Sequence, residues 1–163
     1  MTRQLGLLAL TGLLLFNPAC SKNEKAPEAT QGTEPLILDY DETEMALAVA
    51  TARRRTGEFI EALSKADAES YSVNVAIKDI NGTEQFWIGD VTFEDGQFTG
   101  RIENDPEIVQ TVKNGQEWTV AREEISDWMF LVDGKIHGGF TIDPLLESYP
   151  KEEAAALQAK LVR

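Results

Sequence analysis

The chain has 163 residues, of which 42% are hydrophobic, 26% charged and 8% aromatic, a composition typical of one folded domain with a single core. It carries 28 acidic and 15 basic residues, for a formal net charge of -13 at pH 7. Nucleic acid is therefore a poor partner, because no positive stripe is available to neutralise phosphates.

The first twenty residues predict an export signal. Arg3 supplies a positive start, an apolar run extends from Leu5 to Phe16, and small residues precede Cys20. The run is too short to cross a bilayer as a helix, which needs roughly 20 residues. Cys20 lies where a bacterial lipoprotein signal places its lipidated residue, although Asn17 stands where such signals usually carry Leu. The alternative is ordinary cleavage after Ser21, which would remove Cys20.

These features predict an exported protein. The first expectation is a periplasm-facing outer-membrane lipoprotein, because Ser rather than Asp follows Cys20, and a soluble periplasmic protein is the alternative. Contact with the membrane would then occur only through a lipid anchor at Cys20. Residues 21–38 are polar and interrupted by proline, which predicts a flexible tether. With one cysteine in the chain, no disulfide framework is expected.

A long helix is predicted over residues 42–64. Asp41 and Glu44 resemble a capping box, and apolar residues then recur at helical spacing from Met45 to Leu63. The arginine run at residues 53–55 is interpreted as a solvated face that pairs with local acids.

Three strands follow, joined by turns at Asn81-Gly82 and Asp95-Gly96. A two-residue turn at Asn81-Gly82 would set Ile77 opposite Phe86 and Val75 opposite Ile88. The second turn would set Phe93 opposite Phe98, Thr92 opposite Thr99 and Asp90 opposite Arg101. The apolar alternation changes phase after Ile88, which predicts a bulge near Gly89-Asp90.

The second half of the domain is predicted from similar local signals. Asp105 and Pro106 indicate the start of a short helix that ends at Asn114-Gly115. A strand over residues 117–121, a hairpin around Asp133-Gly134 and a helix over about 151–162 complete the chain. The fold class is α+β: an antiparallel sheet of about six strands with an N-terminal, a short middle and a C-terminal helix. We assign residues 1–20 to the signal, 21–38 to the tether, 39–146 to the domain and 147–163 to the C-terminal helix region.

The usual catalytic arrangements are not found in the sequence. His137 is the only histidine, so a zinc site of the H-E-x-x-H type cannot form, and no serine occupies a G-x-S-x-G turn. No glycine-rich phosphate loop joins a strand to a helix. We therefore assign no catalytic, cofactor-binding or metal-binding residue and expect no cofactor.

The predicted hairpin of residues 125–141 is apolar on both faces. A turn at Asp133-Gly134 sets Phe130 opposite His137 and Trp128 opposite Gly139, so the glycine pair is interpreted as room for the indole ring. Either helices cover both faces, or the face with Trp128, Phe130 and His137 is exposed and binds a partner.

With these elements placed, the chain resembles the YegJ-like family of uncharacterised bacterial domains, from about Asp41 to Ile142. The matching motifs are Phe86-Trp87, Gly96-x-Phe98-x-Gly100, Asn104-Asp105-Pro106, Ile125-Ser126-Asp127-Trp128 and Gly138-Gly139-Phe140-Thr141. The resemblance implies no activity, substrate or catalytic residue, since none is established for the family. Members occur as small exported proteins and within longer chains, some with ankyrin repeats, which favours an interaction module. Both ends of the chain lie outside the resemblance.

Three functions remain as hypotheses. The first is an envelope-tethered, non-catalytic binding module for an unknown protein or envelope ligand. The second is an immunity-type inhibitor whose acidic surface covers a basic toxin or envelope hydrolase. The third is a carboxylate-dependent hydrolase, with Asp90 and Asp127 as the most plausible acids. The sequence does not predict an oligomeric state.

Overall fold

The computed structural model describes residues 6–7, 37–38 and 40–162. Strand β1, Gly6–Leu7, pairs antiparallel with β2, Ile37–Leu38. The predicted lipidation at Cys20 and most of the predicted signal and tether lie outside the described residues. No helix within the described residues has the length and apolarity needed to span a membrane.

The domain that follows contains three helices and seven strands that form one sheet. Its elements are α1 Glu42–Lys65, β3 Ser70–Lys78, β4 Thr83–Glu94, β5 Gln97–Ile102, β6 Glu117–Ala121, β7 Ile125–Val132, β8 Lys135–Gly138, a 3-10 helix Phe140–Ser148, α2 Lys151–Gln158 and β9 Leu161–Val162. The sheet order is β6-β5-β4-β3-β7-β8-β9, and only the β8–β9 pair is parallel. The α+β class is confirmed, with one more strand than the six predicted.

Helix α1 forms where its capping and apolar signals predict. The Asp41 carboxylate accepts hydrogen bonds from the backbone N–H groups of Thr43 and Glu44, at 2.8 and 2.9 Å, which satisfies two of the donors that a helix start leaves free. The helix ends at Ala66, whose φ of 50° is left-handed. Its buried stripe consists of Ala52, Thr56 and Phe59, which packs this helix against the sheet.

The core lies between α1 and one face of the sheet. Alternate residues of β3 and β4 form the sheet side of the core, and Phe59 of α1 is fully buried against them. The phenyl ring of Phe59 lies 5.5 Å from the Trp128 ring and 5.6 Å from the Phe98 ring, measured between centroids. We call the face that carries Val73 and Trp128 the core face and the opposite face, which carries Asn74 and Trp87, the outer face.

The predicted register of the first hairpin is wrong by two residues. Val75 pairs with Phe86 and Lys78 with Thr83, so the loop has four residues rather than two. Asp79 explains the difference, because its Oδ1 accepts the N–H of Asn81 at 2.7 Å and its own N–H donates to the Gly82 carbonyl at 2.9 Å. A shift of two residues preserves the side-chain alternation, so the apolar residues still reach the core face.

The second hairpin follows its prediction near the turn and departs from it at the bulge. Phe93 pairs with Phe98 and Thr92 with Thr99, and the register shifts between Gly89 and Thr92. The predicted Asp90–Arg101 pair does not form, because Arg101 pairs with Gly89. Asp90 instead occupies the bulge, with a left-handed φ of 51°.

The predicted middle helix does not form. Residues 104–116 run as turns and bends, and the carboxylate of Glu84 accepts the backbone N–H groups of Glu107, Ile108 and Val109 at 3.0 to 3.2 Å. These donors therefore bond to a side chain on β4 rather than to water or a capping residue. Val109 and Val112 still reach the core, so the loop buries the apolar residues that the helix prediction assigned.

The C-terminal helix is shorter than predicted. Helix α2 ends at Gln158, and β9 then pairs Leu161 with Ile136 and Val162 with His137. The 3-10 helix before α2 was not predicted, and Pro144 lies inside it. The region assigned as 147–163 is thus only partly helical.

Candidate functional site

The structure separates the three residues of the predicted docking face by their burial. Trp128 is 2% exposed, whereas Phe130 and His137 are half-buried. The rings of Phe130 and His137 stack at 4.8 Å with an interplanar angle of 7°, and the Phe130 ring lies 6.2 Å from that of Trp128. Helix α1 covers Trp128, so this residue lies under a helix and not on an exposed face that could bind a partner.

Trp128 is held in the core by both its ring and its polar atom. The indole N–H donates to the Ala52 carbonyl of α1 at 2.8 Å, which satisfies the donor that burial would otherwise leave unpaired. The Phe140 ring meets the indole edge-on at 5.4 Å. Trp128 therefore joins α1 to β7 and is not available to a partner while α1 is in place.

Gly138, rather than the predicted Gly139, makes room for the Trp128 ring. A Cβ atom on Gly138 would lie 2.6 Å from Cζ3 of Trp128 and would also collide with the Trp128 carbonyl oxygen. Gly138 has a φ of 82°, a conformation that side chains disfavour. The interpretation of the glycines as packing space is thus supported at Gly138 rather than at Gly139.

Asp127 is a fully buried carboxyl with a structural set of partners. Its Oδ1 accepts the Trp128 N–H at 2.8 Å, and its Oδ2 accepts the N–H and hydroxyl of Thr141, each at 2.7 Å. Burial raises the pKa of Asp127, and the hydrogen bonds from Thr141 oppose that shift. The carboxyl therefore ties the start of the 3-10 helix to β7.

The outer face carries a row of polar and aromatic side chains whose grouping was not predicted from the sequence. Asn74 pairs with Trp87 of β4 on one side and with Asp127 of β7 on the other. Residues paired across neighbouring strands project from the same face. Trp87 is half-buried, so part of its surface remains accessible.

Glu103 extends this row just beyond the end of β5. Its N–H donates to the Trp87 carbonyl at 2.9 Å, and its carboxyl lies against Gly89, where a Cβ would come within 3.0 Å of Glu103 Cγ. The Ser72 hydroxyl donates to Oε2 of Glu103 at 3.2 Å. Burial raises the pKa of Glu103, the Ser72 hydrogen bond opposes the shift, and the charge of Asp90 adds to it.

One side-chain oxygen of the outer face is buried without a partner. Oε1 of Gln85, two residues before Trp87, has no hydrogen-bond partner among the described residues. The neighbouring Asn74 is 4% exposed, but none of its side-chain atoms is buried and unpaired in this way. Buried polar atoms are nearly always paired in native proteins, so the Gln85 oxygen calls for an explanation.

We call Asn74, Gln85, Trp87, Gly89 and Glu103 the outer-face cluster. The sequence contained a signal for it, since polar residues flank an apolar one in Ser72-Val73-Asn74, and half-buried residues flank a buried one in Gln85-Phe86-Trp87. That alternation places each set on one strand face but does not say which strands are neighbours. Within residues 40–162, no group of three or more His, Cys, Asp or Glu side chains could hold a metal ion.

The remaining surface is acidic and has few internal ion pairs. Between residues that the structure describes, two ion pairs form, Arg55–Glu58 at 2.7 Å and Lys65–Glu61 at 2.8 Å, both within α1. The other two arginines of the run also have partners: Arg53 donates to the Ile125 carbonyl of β7 at 2.8 Å, and Arg54 donates to the Thr51 hydroxyl at 3.4 Å. The arginines are therefore not a free basic patch.

Comparison with known proteins places this fold in a family. The chain is 46% identical to the "Uncharacterized protein YegJ" of Escherichia coli K12 over 157 residues, which cover 96% of this chain and 98% of that protein. A 70-residue segment is 36% identical to a Neisseria meningitidis serogroup B protein named as an ankyrin repeat protein, covering 43% of this chain and 28% of that one. No solved structure matches the chain.

The family described as "Uncharacterized protein conserved in bacteria (DUF2314)" matches residues 42–161. The match continues past Ile142 through α2, so the predicted C-terminal limit of the resemblance is wrong. The chain therefore belongs to the YegJ-like DUF2314 family.

Proposed function

We propose that the chain is a non-catalytic binding module held in the cell envelope, and that its partner is a basic protein. The observation that carries this proposal is the uncompensated acidic surface. The sequence has 28 acidic against 15 basic residues, and the ion pairs between described residues are confined to α1. Such a surface attracts a positively charged partner and accelerates its association.

The arrangement of the buried carboxyls supports binding over catalysis. Asp127 is buried and accepts three hydrogen bonds from Trp128 and Thr141, and Glu84 holds the loop at residues 107–109. A general acid or base needs a lone pair or proton that faces a substrate. The carboxylate-dependent hydrolase therefore has less support than the binding module.

The Neisseria relative also favours an interaction module. The matched segment occupies 28% of that longer protein, which is named for its ankyrin repeats. That segment covers 43% of this chain, and its presence in a protein named for repeats favours a role in binding over one in catalysis.

Salt-dependent capture tests the proposed function. The chain is purified as the cell processes it, immobilised, and exposed to its own envelope extract at about 50 and 500 mM salt. We expect basic proteins to be retained at low salt and released at high salt, since the Debye length falls to a few ångströms near 1 M. Capture that is the same at both salt concentrations would exclude the acidic surface as the contact.

The envelope location is part of the same proposal and has its own test. We expect a fatty-acid analogue to label the wild-type chain at Cys20 and to leave Cys20→Ala unlabelled. A soluble periplasmic chain would carry no label in either form, and label that persists in Cys20→Ala would contradict the lipid anchor.

An immunity-type inhibitor is the second candidate, because the same acidic surface suits a basic toxin or envelope hydrolase. An inhibitor must abolish the activity of the protein it captures, whereas a general binding module need not. Assaying each captured basic hydrolase with and without a molar excess of the chain separates the two, and unchanged turnover would remove the inhibitor.

A further inference from the structure

We propose that the outer-face cluster binds an arginine side chain of the basic partner, with the guanidinium against the Trp87 indole and its N–H groups directed to the Glu103 carboxylate. This inference rests on the proposed function and assigns it a site. The cluster lies on the sheet face opposite Trp128, so it differs from the docking face predicted from the sequence.

The strand pairing brings the necessary groups together. Asn74 lies directly across from Trp87, and Ser72 lies across from Gly89. Gly89 has no side chain, and the Glu103 carboxyl occupies the space above it. The carboxyl is thereby held beside the Trp87 backbone, to which the Glu103 N–H donates at 2.9 Å.

The Glu103 carboxyl can accept further hydrogen bonds. Its side chain is exposed, and it receives one hydrogen bond from a side chain of the chain itself, that of Ser72 to Oε2 at 3.2 Å. A cation with several N–H donors would satisfy this carboxyl, whereas an anion would face Glu103, Asp90 and a net charge of -13.

Arginine fits this set better than other cations. Its planar guanidinium carries five N–H donors, binds carboxylates in a two-pronged geometry and stacks on aromatic rings. A lysine ammonium offers three donors on one atom and has no planar group to stack on an indole ring. The half-buried Trp87 supplies the aromatic face that a guanidinium favours.

The chain's own nearby arginine is already engaged. Arg101 pairs with Gly89 across the β4–β5 ladder, and its Nη1 donates to the Gly115 carbonyl at 3.3 Å. The described residues place no ion pair on Glu103, so the carboxyl is left for a cation from another molecule.

The test uses the peptide acetyl-Gly-Arg-Gly-amide and the isotope-labelled chain as the cell processes it. Binding is followed in every variant by the NMR signals of the β4 backbone amides, and in chains that keep Trp87 also by its indole N–H signal, which Trp87→Phe identifies by its loss. Matched peptides carry lysine or citrulline in place of arginine, and a neutral disaccharide serves as an uncharged polyol. The variants are Glu103→Gln and Trp87→Ala, and Glu94→Gln is the control, since it removes an exposed carboxylate at the far end of β4.

We expect the arginine peptide to shift the Trp87 signal and to bind more tightly than the lysine peptide. Citrulline, which is isosteric and neutral, should bind at least about fivefold more weakly, as should the arginine peptide to Glu103→Gln or Trp87→Ala. Glu94→Gln should bind as the wild type does. Thermal melts of each variant report whether it is folded, and Trp87→Phe, which keeps a ring, should retain part of the affinity.

Equal binding of the arginine and citrulline peptides, or undiminished binding to folded Glu103→Gln, would overturn the site. A response to the disaccharide alone would replace the cation with a neutral ligand and would also overturn it. Salt-dependent capture of basic proteins that persists in Glu103→Gln and Trp87→Ala would refute only the location, while capture that never depends on salt would refute the proposed function itself.

Discussion

Replacing Glu84 should release the loop that the sequence predicts as a helix. Glu84 is 4% exposed, and its Oε2 accepts the N–H groups of Ile108 and Val109 at 3.0 and 3.1 Å, while Oε1 accepts that of Glu107 at 3.0 Å. Hydrogen bonds to a charged acceptor are worth about 1.5–3 kcal/mol each. Because the three share one carboxylate and are not additive, we expect Glu84→Ala to lower the free energy of unfolding by about 3–5 kcal/mol.

A glutamine at this position separates the hydrogen bonds from the loss of side-chain volume. Glu84→Gln keeps one oxygen, which can still accept the N–H groups of Ile108 and Val109. Its NH2 group faces the N–H of Glu107, so two donors meet there and that hydrogen bond is lost. We expect an intermediate cost of about 1–2 kcal/mol. Glu107→Gln is the matched control, because that side chain lies in the same loop and is exposed.

Denaturant unfolding gives the free energies, and amide hydrogen exchange locates the effect. Exchange at residues 107–109 should accelerate by at least about tenfold in Glu84→Ala while exchange in α1 follows only the global change. A cost below about 1 kcal/mol for Glu84→Ala, or unchanged exchange at these three amides, would refute the conclusion that this carboxylate organises the loop.

Two further predictions concern the Trp128 region. Gly138→Ala should lower the free energy of unfolding by about 2–5 kcal/mol, because it adds a collision with the Trp128 ring to a left-handed φ of 82°. The control Gly134→Ala, at φ 67° with nothing near its Cβ, should cost only about 1 kcal/mol. Equal costs in denaturant unfolding would contradict the packing argument. Burial raises the pKa of Asp127, so the folded state keeps the carboxyl proton to higher pH than the unfolded state does. The stability that this group contributes is therefore greatest below its ordinary pKa of 3.8 and declines as the pH rises through the folded pKa. Relative to Asp127→Asn, which does not titrate, the wild type should therefore lose stability as the pH rises above 3.8, and a difference that is constant with pH would show that Asp127 has no raised pKa.

Features that depend on neighbours in the chain were predictable from the sequence. The Asp41 cap and the apolar repeat placed α1 within one residue of its observed end at Lys65. The turns at Asp95-Gly96 and Asp133-Gly134 set registers that the structure confirms, with Phe93 opposite Phe98 and Leu131 opposite Ile136. In each case the deciding hydrogen bonds or φ angles lie within a few residues, where local patterns carry enough information.

The elements that the sequence missed depend on contacts between distant residues. Glu84 and Val109 are separated by 25 positions, and the N–H groups of the loop are drawn to that buried carboxylate instead of forming a helix. The loop at residues 79–82 differs for a related reason, since Asp79 Oδ2 accepts the Gln110 N–H at 2.7 Å. These hydrogen bonds lower the pKa of Asp79, with that from Gln110 as the largest cause.

By itself, the sequence determined the acidic charge, the α+β class, the long helix, the main hairpins and the resemblance to a family, whereas export stays a prediction. Only the tertiary structure decided that Trp128 is covered by α1 and that Asn74, Trp87 and Glu103 share the opposite face. Strand alternation assigns each side chain to one of two faces, but the order of strands in the sheet decides which residues become neighbours. That order results from packing the whole chain around one core, which no local pattern specifies.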